Sequence, residues 1–296
     1  MSSPSPNITI PVDLTNPGQF FACCGLLELA DRLWPGAEGW FESKSSFAII
    51  APGQVSIEPL LKKIIECEFT PLLQADELKE LRQFAERKSE LKTRRKMLSK
   101  GDEARRKSLN SKRIGAGFRL CQPFNLQVDW WLMENCDADH LKTWAGQQAI
   151  AEIAEDMKYS FELPSTTELF EFERRINRKD GGKSRAPLSL DSGRVGTAQD
   201  IGYSADNVGQ PIACCLWTEF LALVALQRFT LKPDPEEFFI FHAWAISLPA
   251  SVAAVAARGT LEHTVGCTGR FRLSGRDVDN RFLAFQQATL TEWRHQ

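Results

Sequence analysis

The sequence predicts an α+β protein: mixed sheet elements, two strongly apolar helices and a long basic helical segment. Hydrophobic residues run almost without interruption through 19–33 and 211–229, which is typical of buried helices. From residue 76, leucine and phenylalanine recur at roughly helical spacing beneath a basic outer face. The remaining short apolar–polar alternations predict strands, and these do not follow the regular strand–helix–strand order of a parallel sheet.

The first apolar helix follows the turn Asn16-Pro17-Gly18, where Asn16 can cap the helix, and it ends at Trp34-Pro35-Gly36. The other predicted helices are amphipathic, basic or apolar: 57–69, a basic helix from Asp76, a short second basic helix at 103–109 after a break at Gly101, 139–157 and 211–229. The predicted strands alternate or are rich in aromatic residues: 7–12, 47–51, 115–121, 126–131, 168–175, 238–248, 268–273 and 282–288.

The chain has 296 residues, enough for one large domain or two small ones at about 150 residues each. We predict an N-terminal α+β domain at 1–160 with a basic helical insertion at 76–114. A strand and a mobile loop rich in Gly and basic residues follow at 161–209, and a C-terminal α+β region at 210–296. With 43% hydrophobic residues the chain can bury a core. The sequence has neither a membrane-span pattern nor a secretory-signal pattern, so we expect a cytoplasmic protein without a membrane partner.

Charge is unevenly distributed along the chain. The formal net charge is −2, but residues 79–119 contain 15 Lys or Arg against 5 Asp or Glu. Such a run attracts phosphate, because each neutralised phosphate releases a counterion. The alternative is a solvated, charge-decorated helix. The cations predicted to contact nucleic acid in this segment are Lys88, Lys92, Arg94, Arg95, Lys96, Arg105, Arg106, Lys107, Lys112 and Arg113.

Two further basic sets lie outside that segment. The first leads into a Gly-rich turn and is also predicted to contact nucleic acid, with a solvated loop as the alternative: Arg174, Arg175, Arg178, Lys179, Lys183 and Arg185. The second, near the C-terminus, contains Arg270, Arg272, Arg276 and Arg281. Arg270 and Arg272 should share one strand face, because side chains in a strand alternate with a period of two.

No catalytic, metal or cofactor site is expected. The eight cysteines form no CxxC pair, and adjacent cysteines in apolar stretches are most simply small buried hydrophobes. GGKS at 181–184 lacks the first Gly of a phosphate-binding loop, since position 177 is Asn. The stretch 137–140 has groups that bind metals, but no other ligands at matching spacing. His242 lies in an apolar run, and nothing in the sequence activates a Cys267–His263 pair.

Two patterns remain open. Trp130-Trp131 is predicted to lie on a strand, with the rings on opposite faces, so that one ring can stack on a base or wedge a duplex; burial of both rings is the alternative. Seven residues between 16 and 28 also recur at an offset of 191, between 207 and 219. This echo indicates either a duplicated unit or two similar capped helices.

Two segments resemble a known family. NPGQFFACCGLLELADRLWPGAEGWF (16–41) and LDSGRVGTAQDIGYS (190–204), the latter followed by LQRF (226–229), are similar to the small form of the large subunit of type I-G (formerly I-U) CRISPR-associated Cascade complexes. The resemblance transfers no role to a single residue. The chain is short for a large subunit, so whether a separate small subunit exists is open.

The resemblance implies a non-enzymatic role in antiviral defence. Such a subunit joins the other Cascade subunits around a CRISPR guide RNA, binds target double-stranded DNA near the protospacer-adjacent motif and helps to open it. It then stabilises the R-loop or recruits the helicase-nuclease. Two alternatives from other classes remain. One is a guide-RNA-processing ribonuclease that uses His263 or His140, and the other is an assembly scaffold without direct nucleic-acid contact.

Overall fold

The computed structural model describes residues 5–94, 96–132, 140–144, 149–171, 174–176, 188–193, 212–231, 233–275 and 283–294; for 174–176, 212 and 213 it describes the backbone alone. These ranges contain seven α-helices: α1 (Pro17–Leu33), α2 (Glu58–Glu66), α3 (Ala75–Thr93), α4 (Lys100–Gly115), α5 (Ile150–Lys158), α6 (Leu216–Ala225) and α7 (Ala250–Ala257). Helices and antiparallel sheets occur together, so the predicted α+β class is confirmed.

The strands of the described residues are short: β1 (Ile8–Pro11), β2 (Glu38–Ser43), β3 (Ser46–Ile50), β4 (Phe69–Pro71), β5 (Phe118–Leu120), β6 (Leu126–Val128), β7 (Arg174–Ile176), β8 (Ile212–Cys214), β9 (Phe239–Trp244), β10 (Leu248–Pro249), β11 (Val265–Phe271), β12 (Leu273–Gly275), β13 (Leu283–Phe285) and β14 (Thr289–Leu290). They form sheets in the orders β1-β3-β2-β10, β14-β11-β9 and β4-β5-β6, with the pairs β12-β13 and β7-β8. All of these pairings are antiparallel.

The two apolar helices α1 and α6 pack against each other at the centre of the core. The contact is so close that a Cβ on Gly25 would lie 2.1 Å from the carbonyl oxygen of Leu221. Phe20 on the other side of α1 stacks on Phe241, with ring centroids 4.2 Å apart. Helix α6 is apolar on all sides, and every one of its residues is buried, as expected for a core helix rather than an amphipathic surface helix.

The N-terminus of α1 follows the predicted pattern. The Asn16 side chain accepts a hydrogen bond from the backbone N–H of Gly18 at 3.0 Å, and Pro17 occupies the first helical turn. The asparagine cap satisfies a backbone donor that the helix itself leaves unpaired. Proline suits the first turn because it has no N–H, and an N–H at that position would have no acceptor within the helix.

Elements from both ends of the chain share one sheet. Leu248 and Pro249 in β10 pair with Gly39 and Glu38 in β2, and α7 packs beside them. The three-part division at 160 and 209 stays a prediction. The N-terminal and C-terminal parts nevertheless contribute to the same sheet and the same hydrophobic core.

Several predicted elements are wrong in their bounds. The second basic helix runs over Lys100–Gly115 rather than 103–109, because Ser99 caps it: the Ser99 hydroxyl accepts from the N–H of Asp102 at 3.1 Å, and Gly101 lies in the first turn. The predicted helix 211–229 starts only at Leu216, since β8 precedes it. The predicted helix 139–157 starts only at Ile150, as α5, because the described residues 140–144 ahead of it form a 3₁₀ turn and a loop.

Strand predictions also need correction. Residues 168–175 give a 3₁₀ turn at Thr166–Glu168 and the short strand β7. The predicted strand 126–131 ends at Val128, and Trp130-Trp131 lie in a 3₁₀ turn. Both tryptophans are buried, with ring centroids 5.5 Å apart in a T-shaped arrangement. Neither ring is therefore available to stack on a base; they are core residues.

The 191-residue echo does not place equivalent residues in equivalent positions. Cys23 and Cys24 lie inside α1, whereas Cys214 belongs to β8 and Cys215 caps α6. The structure therefore argues against a duplicated unit. Among the described residues, no helix combines the length and the apolar composition needed to cross a membrane.

Candidate nucleic-acid interface

The basic segment folds as a helical hairpin made of α3 and α4. Three ion pairs join the two helices: Glu77 to Lys112 at 2.6 Å, Glu80 to Arg105 at 2.8 Å and Arg87 to Asp102 at 3.3 Å. As the residue number rises on α3 it falls on α4, so the helices are antiparallel. Each pair joins a carboxylate of one helix to a cation of the other.

The hairpin contributes little to the hydrophobic core. No described residue of α3 is fully buried, and in α4 the only one is Leu109. The apolar stripe predicted on α3, which includes Leu78 and Leu81, is half-buried. Since helices in proteins gain most of their stability from packing rather than from propensity, the hairpin depends on this stripe and on the ion pairs.

The ion pairs also fix the charge state of the hairpin. Arg105 donates two hydrogen bonds to the Glu80 carboxylate, at 2.9 and 2.8 Å, and these hold the pKa of Glu80 below its ordinary value of 4.5. Arg106 binds Glu103 in the same way and lowers the pKa of Glu103. The carboxylates in turn raise the pKa of Arg105 and of Arg106.

The lowered pKa of Glu80 predicts how the hairpin responds to pH. A carboxyl group whose pKa is lower in the folded state stabilises the fold above its ordinary pKa of 4.5, and the gain is lost as pH falls through the lowered value. At pH 7 we expect Glu80→Gln to destabilise the hairpin as acidification does, because the amide lacks the negative charge that binds Arg105. Amide hydrogen exchange across α3 and α4 should rise roughly two- to fivefold, the size expected of an exposed ion pair.

Glu90→Gln is the matched control for that measurement. Glu90 lies on the same helix, is exposed, and its carboxylate has no ion-pair partner among the described residues. Its exchange rates should equal those of the wild type. Unchanged exchange in Glu80→Gln would show that the cross-helix pair contributes nothing to the hairpin.

The structure divides the predicted cations of the hairpin into two groups. Four are held by carboxylates: Arg105, Arg106, Lys112 and Arg113. Five are exposed and have no ion-pair partner among the described residues: Lys88, Lys92, Arg94, Lys96 and Lys107. Arg95 lies outside the described residues. The sequence reasoning did not single out Arg82 and Lys100, which are also exposed, although both belong to the counted basic run.

Four of the cations without a carboxylate partner lie at the distal end of the hairpin. Lys92 lies in the last turn of α3, Arg94 and Lys96 follow it, and Lys100 starts α4. Beside them, Met97 is 92% exposed. The distal end therefore combines concentrated positive charge with one apolar side chain.

The other basic sets are less accessible or lie outside the described part. For Arg174 and Arg175 only the backbone is described, paired with β8; Arg178, Lys179, Lys183 and Arg185 lie outside the described residues. The shared face of Arg270 and Arg272 is confirmed, because both guanidinium groups lie 3.6 Å from the centre of the Phe238 ring. Arg270 also pairs with Asp234 and Glu236, so it is engaged within the protein.

His242 and Cys267 lie in surroundings that do not favour catalysis. His242 is half-buried beside the Thr268 hydroxyl, 3.1 Å from Nδ1, and burial lowers its pKa. Burial raises the pKa of Cys267 to about 11, which keeps it a neutral thiol and a poor nucleophile at pH 7. Within the described ranges, no group of three or more His, Cys, Asp or Glu is placed to hold a metal ion.

The two segments that carry the family resemblance meet in space. Asn16 donates to the Asp191 carboxylate at 2.7 Å and accepts from the Ser192 backbone N–H and hydroxyl at 3.1 and 3.0 Å. A Cβ on Gly18 would lie 2.2 Å from the Leu190 carbonyl oxygen, so the close approach requires glycine.

A buried carboxylate completes this contact. Glu219 in α6 accepts hydrogen bonds from the backbone N–H groups of Ser189, Leu190 and Asp191, each at 3.2 Å. The residue is fully buried. Residues 188–193, together with Asn16 and Glu219, are called the buried clamp below. The clamp attaches a polar segment to the two central helices.

Comparisons of the chain with protein families, with curated proteins and with solved structures found no match. The resemblance to Cascade large subunits therefore rests on the segments 16–41 and 190–204; of the second segment the structure describes residues 190–193, and these contact the first segment in the buried clamp.

Proposed function

We propose that the chain is a non-catalytic subunit of an RNA-guided CRISPR surveillance (Cascade) complex. It binds target DNA near the protospacer-adjacent motif, and it aids duplex opening and R-loop stabilisation. The observation that carries the proposal is the distal end of the hairpin, where exposed cations without carboxylate partners are concentrated on a chain that is otherwise acidic. A polyanion is the natural partner of such a surface, because its condensed counterions are released on binding.

The cations of the hairpin fall into two groups, those that bind carboxylates within the protein and those that are available to bind phosphate. Lys112 and Arg105 bind carboxylates of α3 and keep the helices together. The cations at the distal end have no ion-pair partner among the described residues, so they can bind phosphate without breaking an ion pair of the protein. A guide strand and a target strand both present phosphates, and the complex holds them in positively charged channels.

Met97 supports the part of the proposal that concerns duplex opening. Proteins that distort DNA insert apolar side chains, methionine among them, between base steps. Met97 is exposed and sits between Lys96 and Lys100, which would hold the neighbouring phosphates. This takes over the wedge role that the sequence indicated for Trp130-Trp131, whose rings are buried.

Membership of the complex is tested by purification. The chain, carrying an affinity tag, is isolated from the organism that encodes it, and the RNA that accompanies it is sequenced. We expect several co-purifying proteins and short RNAs with a repeat–spacer structure. Purification without such RNA would overturn the proposal.

The same material distinguishes the alternatives. A guide-RNA-processing ribonuclease would cleave repeat RNA as the isolated chain, and His263→Ala or His140→Ala would abolish the cleavage. An assembly scaffold would stay bound to its partner proteins after nuclease treatment, and no hairpin residue would crosslink to nucleic acid. Crosslinks from the distal end of the hairpin support the proposal instead.

A further inference from the structure

A cleft of about 700 Å³ lies where the hairpin meets the rest of the protein. One wall is formed by the inner faces of α3 and α4, and the other by α5 and β4. Clefts that bind small ligands have volumes of about 300–1,000 Å³, so a single nucleotide fits this one.

The hairpin wall of the cleft is cationic. Arg82 and Lys88 reach it from α3, and Arg106 and Arg113 reach it from α4. Arg82 and Lys88 have no ion-pair partner among the described residues. The Nε atom of Arg113 is buried and has no hydrogen-bond partner within the same part of the chain. The other guanidinium nitrogens of Arg113 already bind Glu152 and Asn110, so Arg82 and Lys88 are the cations of this wall that can bind a ligand phosphate at no internal cost.

The opposite wall is acidic. Glu152 and Glu155, three residues apart, lie on one face of α5, and Glu68 lies at the start of β4. Glu152 binds Arg113, whereas Glu68 and Glu155 have no ion-pair partner among the described residues. These carboxylates accept hydrogen bonds and repel anions, which is the reverse of what the hairpin wall does.

Between the charged walls the cleft is apolar. Leu78 and Leu81 of α3 and Phe69 and Pro71 of β4 contribute its apolar lining. An apolar floor between a cationic and an acidic wall suits a ligand with three parts: a flat apolar body, an anionic end and an end that donates hydrogen bonds. A nucleotide whose base carries an exocyclic amino group has these parts.

We infer that the cleft binds one unpaired nucleotide of a nucleic-acid strand and prefers a base with an exocyclic amino group, such as cytosine, over thymine. The inference rests on the proposed function, because the hairpin must bring the strand to the cleft. The phosphate lies on the cationic wall, and the amino group donates to Glu68 or Glu155. Carboxylates accept from the N4 amino group of cytosine, whereas thymine presents the acceptor O4 at that position and is repelled.

The test compares fluorescently labelled ten-nucleotide oligo(dC) and oligo(dT) by anisotropy with the full chain at pH 8. We expect oligo(dC) to bind roughly five- to tenfold more tightly, the discrimination expected of a good base contact. Glu68→Gln combined with Glu155→Gln should bring the ratio below about twofold, because an amide also presents a donor to thymine. Affinity for oligo(dT) should not fall, since the cations remain in place. Glu90→Gln, on α3 but outside the cleft, should keep the ratio.

The outcomes separate this inference from the proposed function. Equal binding of both oligonucleotides by the wild type, or an unchanged ratio in the double variant, overturns the inference and leaves the proposed function standing. Failure to bind either oligonucleotide at low salt overturns both. Oligo(rC), measured beside oligo(dC), tells whether the strand is RNA or DNA, and preferred binding of either one over its uracil or thymine counterpart supports the inference.

Discussion

We expect that changing Lys92, Arg94, Lys96 and Lys100 together to Glu lowers the affinity of the chain for a 40-base-pair DNA duplex by about a hundredfold or more at 100 mM salt. Each of these side chains is exposed and has no ion-pair partner among the described residues. Every lost phosphate contact removes about 0.9 from the slope of log affinity against log salt concentration, so the slope flattens by roughly three to four. Fluorescence anisotropy over 50–300 mM salt gives both quantities.

The choice of these four residues follows from the structure. Reversal of Arg105 or Arg106 would break a pair with Glu80 or Glu103, so lost binding would be confused with a loosened hairpin. The matched control reverses four cations outside the hairpin, with the same change of net charge: Lys44, Lys62, Lys63 and Lys142. The first three bind the exposed carboxylates of Glu292, Glu58 and Glu66 and not the hairpin, and urea unfolding checks that their reversal leaves the fold intact. Its affinity should fall by less than roughly threefold. An equal fall in both variants would mean that net charge, and not the hairpin, governs binding.

The second large effect is expected at Glu219, where replacement by Ala should lower the free energy of unfolding by about 3–5 kcal/mol. The three N–H groups that the carboxylate accepts belong to consecutive buried residues, from Ser189 to Asp191. Removal of the carboxylate takes away these three hydrogen bonds and opens a cavity in the core. Urea unfolding followed by tryptophan fluorescence measures the change.

Two further variants make this prediction specific to the buried clamp. Glu171→Ala, at an exposed position, should change the free energy of unfolding by less than about 0.5 kcal/mol. Asn16→Ala should be destabilising, but its effect and that of Glu219→Ala should sum to more than the double variant loses, because both side chains hold the segment 188–193. Full additivity would show that they act independently.

Local signals in the sequence predicted the parts of the fold that local interactions determine. Asn16 before a proline marks the start of α1, and the helical spacing of Leu78 and Leu81 marks α3. The capping pattern Ser99-x-x-Asp102 was also present and identifies the start of α4, but Gly101 was interpreted as a break. Glycine in a first helical turn is tolerated when a cap fixes the turn.

Features that depend on distant partners were not predictable in this way. The strand β8 exists because β7, some 40 residues earlier, pairs with it. Glu219 lies in an apolar stretch, where sequence patterns give no reason for a carboxylate; in the described part of the chain, the backbone N–H groups of 189–191 donate to it. In the candidate site, the sequence located the basic hairpin but did not divide its cations, since the pairing of Glu80 with Arg105 depends on how the two helices align.

The separation of the hairpin from the hydrophobic core determines which positions of the protein can tolerate substitution during evolution. Leu109 is the one described residue of α3 and α4 that is fully buried, so most other positions there can be exchanged without unfolding the protein. Core substitutions lack this freedom, because packing penalises almost every change. The surface of the hairpin can therefore diversify in sequence while the core that carries it stays the same.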